Sequence, residues 1–191
     1  MKRGLSVLSL LAAAVTFSAP VSAARITFEE FAHGDELMGV GDIVHSKGFV
    51  FSYAPAPDEP YPVGFHAVGS VWPYNGRSTA LVANSCSATT TLTAEDNNPI
   101  SLESIDIAGL NGDDNFVVRF TGLTQDGQQV QKDVQLSGRR QWHRVVLPTH
   151  FHHLREVSWL QGDCIENPPH MFDNVRVVRS RGVPPSEAGA R

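Results

Sequence analysis

The side chains able to do chemistry fall into four groups, and the first is acidic. Glu29 and Glu30 lie near the front of the chain, and Asp173 sits near its end in the run Phe172-Asp173-Asn174-Val175-Arg176-Val177-Val178. Val175 and Val177 alternate with polar neighbours as the residues of a half-buried strand do. Asp173 shares their parity, so its carboxylate is expected on the core side. A carboxylate there needs hydrogen bonds, a cation or a metal. With the first and last strands side by side, Asp173, Glu29 or Glu30 and nearby carbonyls would offer the oxygen shell that calcium takes. Parity favours Glu30. The other reading has Asp173 accepting backbone hydrogen bonds and both glutamates in water.

The second group is aromatic. Tyr53, Tyr61, Phe65, Trp72 and Tyr74 stand in a stretch rich in Pro and Gly, from Tyr53 to Gly76. That stretch is too long for a plain connection, and long loops often carry function. Flat rings on stiff loops present contact area at small entropic cost, which suits stacking on sugar rings. Trp72-Pro73-Tyr74-Asn75-Gly76 reads as a turn holding both rings outward and adding the Asn75 amide. Trp72, Tyr74, Asn75 and Tyr61 are therefore the candidate ligand-binding residues. The competing expectation is that Trp72 plugs the core beside Phe49 and Phe51.

The histidines and cysteines complete the set. His150, His152 and His153 cluster, with His143 one strand earlier. No zinc motif accompanies them, and a solvated turn is expected. Asn111-Gly112-Asp113-Asp114-Asn115 lacks the spacing of an EF-hand loop and reads as a tight turn. No Gly-x-Ser-x-Gly nucleophile elbow is present. The chain has two cysteines, Cys86 and Cys164. In an exported protein such a pair forms a disulfide.

Export is read from the N-terminus. Lys2 and Arg3 precede an apolar run from Leu5 to Phe17, and Val21-Ser22-Ala23-Ala24 supplies small residues for cleavage. This is the pattern of a secretory signal peptide. Residues 1–24 are assigned to it, with the mature chain starting at Ala24 or Arg25. The net charge is −5 with no basic cluster in the mature part, which argues against a nucleic-acid partner. No further apolar stretch is long enough to span a bilayer.

The elements that must position these groups are strands. Of 191 residues 41% are hydrophobic, enough for one sizeable core, and Gly 16 with Pro 12 marks many turns. Strands are expected at Ile26–Phe31, Ile43–Ser46, Phe49–Ser52, Ser78–Ala83, Ser87–Leu92, Leu102–Ala108, Phe116–Thr121, Val130–Leu136, Trp142–Leu147, from Val157, and at Phe172–Val178. Gln125-Asp126-Gly127 is a hairpin signal. Turn signals recur about every 8 to 12 residues, as in an all-β antiparallel sandwich, and no helix is expected after the leader. Residues 25–179 form this domain and 180–191 read as a disordered C-terminal tail. First and last strands that both look like core strands fit a jelly roll.

Several short motifs, in order, carry a resemblance. They are Ile26-Thr27-Phe28-Glu29, Gly48-Phe49-Val50-Phe51, Ser78-Thr79-Ala80-Leu81, Ser104-Ile105-Asp106-Ile107-Ala108, Trp142-His143-Arg144-Val145-Val146-Leu147 and Phe172-Asp173-Asn174-Val175. The pattern resembles the exported bacterial jelly-roll domains common among PEP-CTERM proteins. These are similar in turn to galactose-binding-like carbohydrate-binding modules. The resemblance implies a non-catalytic, secreted or periplasmic protein that binds a glycan, exopolysaccharide or matrix component. It also implies a structural Ca2+ near the joined termini, with Glu29 in the family-like position. Val183-Pro184-Pro185-Ser186-Glu187 resembles only the start of a PEP-CTERM sorting signal, since no apolar helix follows it. Two other classes remain open, a polysaccharide hydrolase or lyase built on a carboxylate pair and a purely structural matrix or envelope protein. A binding module would show an exposed aromatic patch and no buried acid pair, an enzyme a cleft with two carboxylates at catalytic separation or a filled histidine site, and a structural protein neither.

Overall fold

Alternating residues become strands here because each pleat must bury one face and hydrate the other. The computed structural model describes residues 23–60, 62–76, 78–112, 115–137 and 141–180. Most of the expected leader, the tail from residue 181 onward, and Tyr61 lie outside the described residues. In chain order the first strands are β1 (Ala23–Ile26), β2 (Leu37–Gly41), β3 (Ile43–Ser46), β4 (Phe49–Ala54), β5 (Phe65–Val68), β6 (Ala80–Ala83) and β7 (Thr89–Ala94). The rest are β8 (Ile100–Gly109), β9 (Asn115–Thr124), β10 (Gln129–Ser137), β11 (His143–Val146), β12 (Leu154–Leu160) and β13 (His170–Arg179). All pairings are antiparallel.

The strands form two layers. One runs β2-β5-β6-β13-β8, with β11 on the far edge of β8 and β1 along β13. The other runs β10-β9-β12-β7-β4-β3. The layers join where β12 touches β8 at Leu154 and Ile100. Between them lies the main core, including Phe65, Leu81, Ile105, Ile107, Phe172 and Val175 from the first layer and Phe49, Phe51, Leu92, Phe120 and Trp159 from the second. Its centre is a set of aromatic rings: Trp159 meets Phe172 edge-on at 5.0 Å, and Phe28 meets Phe51 at 5.2 Å. This is an antiparallel β-sandwich whose first and last strands pair, the arrangement of a jelly roll.

The structure departs from the sequence reading at both ends of the domain. The first strand stops at Ile26, and Glu29–Phe31 is a 3-10 turn entered through Phe28 in the left-handed region at φ 55. Phe28 is fully buried, so the chain bends to insert its ring and the glutamates leave the strand. At the other end β13 runs through Arg179, whose guanidinium meets Asp96 at 2.9 Å and lies over the Phe49 ring at 5.3 Å. Ser180 is also held, its N–H donating to the Pro99 carbonyl at 2.7 Å. Strands β2 and β5 were not legible. Leu37-Met38-Gly39-Val40-Gly41 has no alternation, and Phe65–Val68 is buried on both sides, so the expected loop from Tyr53 to Gly76 is interrupted by a strand.

Cys86 and Cys164 form a disulfide with α-carbons 5.5 Å apart. It ties the turn after β6 to the connection between β12 and β13. Two backbone hydrogen bonds run alongside, Ser87 N–H to Gly162 O at 2.8 Å and Gln161 N–H to Ala88 O at 2.7 Å. The Gly162 backbone lies so close to residues 167 and 168 that a Cβ there would meet the Asn167 carbonyl at 2.1 Å. Asn167 in turn exchanges two hydrogen bonds with the Val117 backbone, extending the edge of β9. Backbone N–H groups, Asn167 first and then Ile165, hold the Asp163 carboxyl below the usual carboxylate range.

At the start of β13, His170 is fully buried and stacks on Phe116 at 5.9 Å. Neither ring nitrogen has a hydrogen-bond partner among the described residues. Burial alone lowers its pKa from 6.5 to about 3, so the ring is neutral in the folded protein.

Two outcomes are expected from this arrangement. Removing the disulfide, which closes a separation of 78 residues, should lower unfolding free energy by about 3 to 4.5 kcal/mol in denaturant titrations of the Cys86→Ser, Cys164→Ser double variant. The unreduced, denatured protein should label no thiols. For His170, the unfolded chain takes up its proton at a higher pH than the folded chain. Its contribution is therefore complete above pH 6.5 and is lost as pH falls toward 3. His170→Phe should remove that dependence, so wild-type stability should fall more steeply with acidification, by up to about 1.4 kcal/mol per pH unit.

Candidate functional site

The outer face of the first layer does not meet water directly. Val68, Ala80, Val82, Ala108, Leu110 and Met171 project there and form a second, smaller apolar cluster. Leu37, Trp72, Tyr74 and Trp142 pack against it. The segment 69–76 lies across this face, and three side chains pin it. Asn75 Nδ2 donates to the carbonyls of Ser78 at 2.7 Å, Val68 at 3.0 Å and Gly69 at 3.1 Å. The Trp72 indole N–H donates to Leu110 O at 2.7 Å, and the Trp142 indole N–H to Asn75 O at 2.7 Å. Gly69 is required because a Cβ there would meet the Asp35 carbonyl at 2.2 Å.

The sequence candidates therefore separate. Trp72 neither stands outward nor plugs the main core. It is half-buried on the outer cluster and forms one wall of a concave pocket of about 260 Å³. Tyr74 contacts Trp72 edge-on at 6.3 Å and does not line that pocket. Asn75 is 2% exposed, so its amide holds the loop and is not presented to a ligand. Tyr61 lies outside the described residues.

The remaining pocket wall comes from residues that the aromatic reading missed. Leu37, Leu110 and Pro169 add apolar surface, and Asn84, Ser85, Asn111 and Gln161 add polar groups. Cys86 and Cys164 also line it. Asn84 lies two residues before one cysteine and Gln161 three before the other. Once the cysteines are paired their neighbours must converge, and that was the signal available in the sequence. Gln161 is held in place by donating from Nε2 to His170 O at 3.1 Å. An indole face beside amides and a hydroxyl can stack one ring-sized ligand and hydrogen-bond its edge.

The acidic group is arranged differently from the parity expectation. Phe172 and Val175 both point into the main core although they are three positions apart, because β13 carries a bulge. Asn174 sits in that bulge at φ 51. Asp173 is thereby placed on the outer face with Met171, directly opposite Asp106 of β8. Asp173 is 1% exposed and Asp106 5%. Asn174 joins them, its Nδ2 donating to Asp173 Oδ2 at 3.0 Å and to Asp106 Oδ2 at 3.1 Å. Its backbone N–H donates to Asp173 Oδ1 at 2.6 Å. Arg144 on β11 meets Asp106 Oδ1 at 3.1 Å, and Arg25 on β1 donates to Asn174 Oδ1 at 2.9 Å. Asp106 and Asn174 were the residues missed here.

The carboxylates expected to hold calcium, Asp173 with Glu29 or Glu30, point to different surroundings. Glu30 accepts a hydrogen bond from the Ser46 hydroxyl, and Asp173 is held by Asn174. Glu29 faces an open depression. Among the described residues no three His, Cys, Asp or Glu side chains are grouped to hold a metal ion. His150, His152 and His153 are exposed, as expected of a solvated turn.

No protein-family model matches the sequence, and no curated protein is similar to it in sequence. Solved structures share its general shape at low identity. A DUF4465 family protein from Bacteroides ovatus aligns at TM-score 0.44 and 9% identity, over 85% of this chain and 100% of that one. The family 32 carbohydrate-binding module of C. perfringens NanJ, in complex with galactose, aligns at TM-score 0.37 and 8% identity, over 83% and 100%. A family 29 carbohydrate-binding module aligns at TM-score 0.34 and 11% identity, over 83% and 85%. The class of fold stated here rests on the strand pairing itself.

The bulge makes a separable forecast. Asn174→Gly keeps the left-handed backbone and removes only the amide that joins Asp106 to Asp173. It should cost about 2 to 4 kcal/mol in urea unfolding, as for other buried charged groups deprived of a donor. Asn174→Ala should cost about 1 kcal/mol more, from the backbone conformation that Gly tolerates.

Proposed function

We propose that this chain is an exported, non-catalytic β-sandwich that binds a glycan at the Trp72 pocket. One observation carries the reading: a single indole, locked by its hydrogen bond to Leu110, forms the wall of a concavity whose other lining includes Asn84 and Asn111. Sugars present apolar C–H faces and hydroxyl edges, and that combination of groups matches both. The pocket volume of about 260 Å³ is close to the lower end of ligand cavities, which suits one ring at a time. Export is supported by the leader-like N-terminus and by the Cys86–Cys164 disulfide, a bond that persists in oxidising compartments. No described helix is long and apolar enough to cross a membrane.

The test is a glycan-array screen of the disulfide-intact protein followed by titration of a retained glycan. Trp72→Ala should abolish binding and, because the indole also packs on the outer cluster, cost about 1 to 3 kcal/mol of stability. Trp72→Phe keeps a flat ring but loses the bond to Leu110, so it should retain weakened binding. Equal affinity in wild type and Trp72→Ala would remove this pocket from consideration.

A further inference from the structure

On the same outer face, beside Ser78, lies a second and wider depression of about 640 Å³, lined by Arg25, Thr27, Glu29, Asp106, Arg144 and Asn174. It shares no residue with the Trp72 pocket. We propose that it is a separate subsite for a neutral polyhydroxylated ligand, engaged through neighbouring hydroxyls between the Arg25 and Arg144 guanidiniums and the Glu29 carboxylate. The proposal takes its ligand class from the glycan-binding reading above.

Three features support it. The first is donor supply. Each guanidinium carries five N–H groups, and the side-chain bonds of Arg25 and Arg144 among the described residues come from Nε alone, to Asn174 and Asp106. The second is order. Asp106 and Asn174 are buried and held by the β13 bulge, so they fix both arginines near the depression before any ligand arrives. Fixed donors lose little freedom on binding, which favours affinity. The third is charge. Among the described residues the lining holds two guanidiniums and two carboxylates, so an anion meets Glu29 and Asp106, and a cation meets Arg25 and Arg144. A hydroxyl accepts from one group and donates to the other, so adjacent hydroxyls satisfy both signs without carrying charge. No aromatic ring lines the depression, so it reads the hydroxyl edge of a ligand where the Trp72 pocket stacks on its face.

The experiment is NMR titration of the 15N-labelled, disulfide-intact protein, following the side-chain signals of Arg25, Arg144 and Asn174 together with the Trp72 indole N–H. The probes are the methyl glycosides of glucose and galactose, with galacturonate and glucosamine as charged counterparts. A neutral glycoside should shift the Arg25, Arg144 and Asn174 signals saturably, and Trp72→Ala should leave those shifts in place. Arg144→Gln should weaken this binding at least about tenfold, as expected for loss of a charge-assisted donor, while the Trp72 shifts remain. Should Arg144→Gln unfold the protein, Glu29→Gln, an exposed position, takes its place and should weaken binding several-fold. Galacturonate or glucosamine binding several-fold tighter than its neutral counterpart overturns the ligand class. Trp72 shifts without saturable shifts of the groove residues overturn the subsite and leave the first reading standing. Groove shifts without Trp72 shifts do the reverse.

Discussion

Two carboxylates facing each other on neighbouring strands, both shut away from water, set the terms for this end of the molecule. Asp106 and Asp173 lie opposite one another across the β8–β13 pairing. Such a pair persists only where donors reach both members. Asn174 reaches both, and it does so because its backbone takes a left-handed turn that ordinary strand residues avoid. The same turn inserts the bulge that returns Val175 and Val177 to the main core. One residue thus reconciles a buried charge cluster with a continuous apolar face. Arg144 from β11 and Arg25 from β1 join the cluster, so four strands, β1, β8, β11 and β13, meet at it.

The rest of the outer face follows from the need to cover a second apolar layer. Six buried residues there would otherwise meet solvent, and segment 69–76, through Trp72 and Tyr74, covers them together with Trp142. Its anchors are hydrogen bonds from side chains to backbone carbonyls, which satisfy the polar groups of a loop that has no ladder partner. On the far side the disulfide and the Asp163 and Asn167 bonds do the same for residues 161–169. The Trp72 pocket forms between these two anchored segments. Its shape is therefore inherited from scaffolding that exists before any ligand does.

In the proposed function Trp72 has two roles that a single substitution perturbs together. Its N–H and one part of the ring belong to the loop anchor, while another part borders the pocket. A binding residue fixed in this way loses little conformational freedom when a ligand arrives. The consequence is that stability and recognition are coupled at this position, and only a substitution that keeps the ring can separate them.

Alternation of residue type was enough to reveal β8, β9, β10 and most of β13: β8, β9 and β13 each keep a face in the core over many residues, and β10 packs Val130, Val134 and Leu136 at its margin. The 3-10 turn at Glu29 and the strands β2 and β5 were hidden. Phe28 breaks the first strand to fill a hole that other strands create, and Gly-rich or doubly buried segments carry no period. Trp72 was expected either outward or in the main core and packs on the outer cluster instead, and Asn75 was expected to face a ligand, since an amide in a turn looks the same whether it faces a ligand or its own backbone. The sequence by itself determined an antiparallel sandwich with a single possible pairing of its two cysteines, because residue parity and cysteine number are local or countable properties. Only the tertiary structure decided which side of the sheet Asp173 faces, that Asp106 lies opposite it, and that Asn84 and Gln161 meet beside Trp72. Those facts depend on a one-residue bulge and on contacts between segments far apart in the chain, and neither leaves a periodic trace along it.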